Sequence, residues 1–185
     1  MLQHHPLARS APDVAAGERA LWAVVFAGLL AASMAPLLLV EIPAMVDYPN
    51  HLARMHILAR DGTADPHTLY EVTWGVYPNL AMDLMVPLLA RLMSVESATK
   101  LFLATSQIMI VGGALAIELA VKKRPGIAAP IAILFLYALP FAWGFVNFQF
   151  GMGLALFGIA AWIACENAPL VRRALIHAGF VAALF

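Results

Sequence analysis

Ala20–Val40 reads ALWAVVFAGLLAASMAPLLLV and carries no charged side chain. At about 1.5 Å per helical residue such a run reaches ~30 Å, the thickness of a bilayer's hydrocarbon core. A spanning helix is therefore expected here. Ser33-Met34-Ala35 has the small-x-small form of a signal-peptidase site. The apolar run is longer than a signal peptide's core, however, and continues through Pro36–Val40, which favours an uncleaved signal anchor. The rest of the chain agrees with a membrane class. Of 185 residues, 63% are hydrophobic and 12% charged, against roughly half and a quarter in soluble domains. A net charge of zero offers no basic surface for nucleic acid. The single cysteine, Cys165, excludes an intrachain disulfide.

Upstream, residues 1–19 are polar and read as a disordered cytoplasmic tail, with His4 and His5 as solvated side chains. Residues 20–185 form the membrane domain. Further spans are expected at 101–121, 127–141 and 148–164, and a fifth begins at 174–185. Twelve apolar residues do not span, so the chain is expected to stop inside that helix. The segment 41–99 is the long hydrophilic loop, with seven acidic side chains against three basic ones. Basic residues gather instead at Arg9 and Arg19, at Lys122–Arg124 and at Arg172–Arg173. The positive-inside bias assigns these three segments to the cytoplasm and loop 41–99 to the extracytoplasmic side. Asn79–Met93 is apolar but short, and it carries Asp83, which favours a surface helix over a span. The expected fold class is all-α: a polytopic transmembrane helical protein with two interfacial helices in its first extracytoplasmic loop.

The first of those helices holds the densest chemistry. Glu41–Arg60 reads EIPAMVDYPNHLARMHILAR. In a helix opened by Asp47, the residues Asp47, His51, Arg54 and Leu58 form one stripe, and Tyr48, Leu52, Met55 and Ala59 the apolar stripe beside it. Asp47 has two readings. It is a general base for a substrate hydroxyl, or an N-cap ahead of Pro49 whose oxygens are taken by backbone amides. His51 and Arg54 are candidate phosphate-binding groups, Arg54 through its guanidinium fork; the plainer reading is an Asp47–His51 pair with Arg54 in water. Two potential metal ligands do not make a site, and none is assigned. Asp83 is the second candidate catalytic carboxylate; the plainer reading is a structural carboxylate partly paired with Arg91, two turns on. Asn147 and Gln149, bracketed by aromatics in WGFVNFQF, are candidate substrate-binding amides or simply mark a turn between spans. Glu118 and Lys122 are expected to pair, and Gly151-x-Gly153 to serve close helix packing.

This order of parts resembles the bacterial C-type membrane glycosyltransferases, which use polyprenyl-phosphate sugars: a first span, an outer loop with two surface helices, and an acid just after that span. VDYPNHLAR stands where the family's base belongs, and FVNFQFGMGLALFGIAAW is similar to bacterial proteins with this loop arrangement. The resemblance covers about residues 20–162. It implies a multi-pass protein of the bacterial inner membrane that performs inverting sugar transfer from a polyprenyl-phosphate donor, with Asp47 as base and Asp83 as a second acid. It leaves the cofactor open, a divalent cation included, and also the oligomeric state. Many family members have an Asp-Glu pair where this chain has Asp47-Tyr48, and such enzymes have more spans. A transporter or flippase, or a non-catalytic assembly subunit, is the alternative.

Overall fold

The computed structural model describes residues 11–184. His4 and His5 lie outside the described residues. The chain is all-helical, in the order α1 (Ala11–Leu39), α2 (Tyr48–Arg60), α3 (Ala81–Leu89), α4 (Val95–Lys122), α5 (Ala128–Leu134), α6 (Leu139–Trp143), α7 (Val146–Ala164) and α8 (Leu170–Leu184). Among the described residues three helices are long and apolar enough to cross a membrane: Ala16–Leu39 within α1, α4 and α7. Helix α1 starts well before the expected Ala20, so residues 11–19 are helical rather than part of a disordered tail. Helix α4 likewise starts before residue 101. Ser94 is extended and its Oγ accepts from the Ser97 amide at 3.2 Å, an N-cap that sets the first turn.

Helices α4 and α7 make the most extensive pair in the molecule. Gly113 lies against Leu156, and Gly153 against Met109. Both numbers rise together, so the two helices run parallel. A Cβ at Gly153 would stand 2.6 Å from Met109 Cβ and 3.0 Å from the Met109 backbone carbon. A backbone cannot swing aside as a side-chain end can. We expect Gly153→Val to destabilise the fold by about 1–3 kcal/mol, the usual range for overpacking. Thermal unfolding in detergent measures it. Gly28→Val, with nothing within 4 Å of its added Cβ, should leave the unfolding temperature nearly unchanged.

A parallel pair needs a return path, and α5–α6 supplies it. Trp22 Nε1 donates to Gly126 O at 2.9 Å, Tyr137 Oη donates to Ser33 O, and Val46 N donates to Ala142 O at 3.0 Å. Residues 126–142 thus run beside α1 in the same direction. The expected third span, 127–141, is not one helix: it is broken between Leu134 and Leu139. Pro140 has no amide to give Leu136 O, and its ring would crowd that carbonyl in a continuous helix.

Helices α2 and α3 lie over the end where α1 stops and α4 and α7 start. Leu37, Tyr48, Met55, Met82, Val86, Phe102 and Val146 share one core there, and Phe102 stacks on Phe150 with ring centres 5.1 Å apart. The apolar stripe of α2 is therefore spent on protein, with Tyr48 and Met55 buried, instead of lying open as in a helix that floats at a membrane surface. Glu118 and Lys122 pair at 3.0 Å. Gly151 faces Leu184 of α8 rather than α4.

Candidate functional site

A cleft of about 510 Å³ opens between α2, the loop before α3 and the start of α7. Asp47, His51 and Arg54 form one wall, Tyr77–Leu80 a second, and Phe145–Phe148 a third. Backbone contacts fix the first wall to the third. The Asp47 amide donates to Trp143 O at 3.2 Å, and the Val46 amide to Ala142 O at 3.0 Å, in the segment that leads into the third wall. Gly144 joins α6 to α7 with φ +84, the left-handed region that costs glycine nothing. Its α-carbon is turned so closely to Asp47 that a Cβ would stand 2.9 Å from the Asp47 amide nitrogen.

Asp47 occupies the N-cap position of α2, yet its side chain accepts no backbone amide. Its φ of −98 and ψ of −1 are not the extended angles from which a capping side chain reaches N2 or N3. The carboxylate is held by side chains instead: Oδ1 accepts from Asn50 Nδ2 at 2.7 Å, and Oδ2 is 3.3 Å from His51 Nε2. It stays 44% exposed on the cleft wall. Asn50 escaped the sequence reading, although its i+3 spacing from Asp47 in DYPNH was a usable signal.

Arg54 reaches the next layer down. Its Nε is 2.7 Å from Asp83 Oδ1, a charge contact outside the direction of a well-aligned hydrogen bond. Asp83 is buried on α3 and is not on the cleft wall; its partner is Arg54 rather than Arg91. The reason is that α3 ends at Leu89, before Arg91 can follow the helical stripe. Burial raises the Asp83 carboxyl above its ordinary 3.8, with Arg54 and then His51 opposing. A raised native pKa contributes stability that is complete below 3.8 and lost as pH rises through the native value. We therefore expect the unfolding temperature of Asp83→Asn, relative to wild type, to move in the variant's favour as pH rises above 3.8. A difference independent of pH would contradict this. Burial, then the Glu96 charge, pushes the Tyr48 hydroxyl up to about 12 and keeps it neutral.

The two amides part company. Asn147 lines the cleft, but its Oδ1 accepts from Met82 N at 3.0 Å and its Nδ2 donates to Asn79 O at 2.7 Å. It caps α3 from another helix and holds Asn79 in the left-handed region, at φ 66. Its carboxamide positions the second wall, using one lone pair of Oδ1 and one hydrogen of Nδ2. Gln149 is two residues on, about 200° around the helix. It is buried without a hydrogen-bond partner and stands away from the cleft, beside Ile110, Leu136 and Met152.

The cleft also collects helix ends. Asp47, Leu80 and Phe145 are the N-cap residues of α2, α3 and α7; all three line it, and none caps its own helix with its side chain. Each such end carries the positive end of a helix dipole, which favours an anion, although one α3 amide is taken by Asn147 and one α7 amide by Gly144 O. Among the described residues no three His, Cys, Asp or Glu side chains gather as a metal-ligand set. The cleft can thus offer a carboxylate that accepts a proton beside a field that holds negative charge. No family model, no curated protein and no solved structure gives a match to this chain.

Proposed function

We propose that this protein is a multi-pass membrane glycosyltransferase that uses a polyprenyl-phosphate sugar on the extracytoplasmic face, with Asp47 as general base. The observation that carries the reading is the Asp47 carboxylate, free of helix amides, held by Asn50 and His51 and open to a cleft where three helix N-termini and Arg54 meet. Asp47 takes the proton of an acceptor hydroxyl as that oxygen bonds to the anomeric carbon. The bond from that carbon to the phosphate oxygen breaks, and the electron pair leaves on the lipid phosphate. Attack opposite the leaving group inverts the centre. Arg54 is 60% exposed beyond its contact with Asp83 and, with the helix ends, stabilises the departing anion. In this reading Asp83 anchors Arg54, and it touches neither substrate.

The topology is supported by the same geometry. If α1, α4, residues 127–143 and α7 each cross, then Arg19, Lys122–Arg124 and Arg172–Arg173 share one side and the cleft lies on the other, in agreement with the positive-inside bias. A transporter or flippase is the second reading. It is favoured by Gln107 and Gln149, two buried carboxamides without partners inside α4 and α7. Membranes carrying the protein, incubated with a panel of radiolabelled polyprenyl-phosphate sugars, separate the two. Label transferred to an acceptor supports the transferase. Lipid-linked label that changes leaflet without chemical transfer supports the flippase.

A further inference from the structure

At the end of the molecule opposite the cleft, two cavities share a wall. One, of about 300 Å³, is lined by Glu18, Arg19, Trp22, Arg124 and Pro125. The other, of about 440 Å³, is almost wholly apolar: Leu21, Val25, Phe26 and Leu29 of α1 face Ile127 and Pro130 across it, and Glu18 and Trp22 belong to both. The junction is built. Trp22 stacks on Phe26 with ring centres 4.9 Å apart, and its Nε1 is tied to Gly126 O at 2.9 Å. Arg19 and Arg124 make no ion pair among the described residues, whereas Lys122 is engaged by Glu118. Leu21, Val25, Leu29 and Ile127 are left exposed along the trough.

We propose that this paired cavity binds one anionic phospholipid, its phosphate between Arg19 and Arg124 and an acyl chain in the trough. Length supports a lipid over a free phosphate. From Glu18 to Leu29 the trough follows α1 for about 16 Å, roughly half of a ~30 Å hydrocarbon core and so the depth of one leaflet. A free phosphate would use the arginines and leave the apolar trough without an occupant. Charge supports an anionic lipid over a zwitterionic one. Two guanidinium groups against the single Glu18 carboxylate leave the mouth positive, and a choline group would add a third cation there. Trp22 stands at the junction of charge and hydrocarbon, the depth at which tryptophan anchors helices at a bilayer surface.

Native mass spectrometry of the full chain, released from micelles with equal phosphatidylglycerol and phosphatidylcholine, tests this. Wild type should retain one phosphatidylglycerol per chain with a preference of roughly thirtyfold, from two basic side chains at the surface. Arg19→Gln/Arg124→Gln should bring that preference close to parity. Val25→Trp, which fills the trough and leaves both arginines, should also lose the bound lipid. Arg91→Gln, an exposed charge far from this end, should behave as wild type. Equal retention of both lipids would overturn the proposal, as would an Arg91→Gln effect as large as that of the double variant. Displacement of the lipid by glycerol phosphate alone would mark a phosphate site and also overturn it.

Discussion

Under the proposed transferase reading, Asp47→Asn should fold as wild type does and transfer sugar about 10²–10⁴-fold more slowly, the range supplied by a positioned general base. The substitution is nearly isosteric and leaves an oxygen to accept from Asn50. Stability should hardly move, because the carboxylate caps no backbone amide of α2. What disappears is the proton acceptor at the cleft wall. A helix-capping role gives the opposite pattern, since Asn caps as well as Asp and both transfer and melting would be retained. The paired measurement is a transfer rate in membranes and a melting temperature in detergent. Loss of rate with melting kept supports the base. Retention of both returns Asp47 to a structural role and favours a non-catalytic assembly subunit.

Gly144→Ala should produce the other pattern, loss of both. An alanine at φ +84 costs about 1–2 kcal/mol in backbone strain. Its Cβ would also press on the Asp47 amide from 2.9 Å and on Asp47 Cβ from 3.1 Å, adding an overpacking cost of about 1–3 kcal/mol. Asp47 can relieve the contact only by moving away from Trp143 O and its place on the wall. A shift near 1 Å in a reacting group costs on the order of a hundredfold in rate. Gly62→Ala separates the two effects. Gly62 is also left-handed, at φ +68, but nothing lies within 4 Å of its added Cβ. It should lose about 1 kcal/mol through strain alone and keep full transfer. A Gly144→Ala protein with wild-type transfer would mean that the α6–α7 junction does not position Asp47.

The long apolar runs made α1, α4 and α7 legible, and the i, i+4, i+7 stripe at Asp47, His51 and Arg54 made one wall of the cleft legible. Both are local signals, carried by neighbours within a few turns. What could not be read is non-local. Asn147 caps α3 across 65 residues, and no spacing rule links Asn147 to Met82. Arg54 finds Asp83 rather than leaving it to Arg91 because two separate helices pack, which the i, i+8 spacing within one segment cannot express. The break in 127–141 was a different kind of miss. Composition measures how apolar a run is, not whether it is continuous, and Pro140 was the signal to weigh. The helix ends that converge on the cleft depend on packing alone.

The parallel course of α4 and α7 also bears on assembly order. Adjacent antiparallel helices can zip together as a hairpin when they leave the ribosome, but a parallel pair cannot. The α4–α7 interface, where Gly113 and Gly153 meet, forms only after the intervening segment has been threaded back along α1. That segment is broken and binds α1 through few contacts, Trp22 to Gly126 and Tyr137 to Ser33 among them. In synthesis from the N-terminus the glycine seam of α4 therefore stays open until α7 is made.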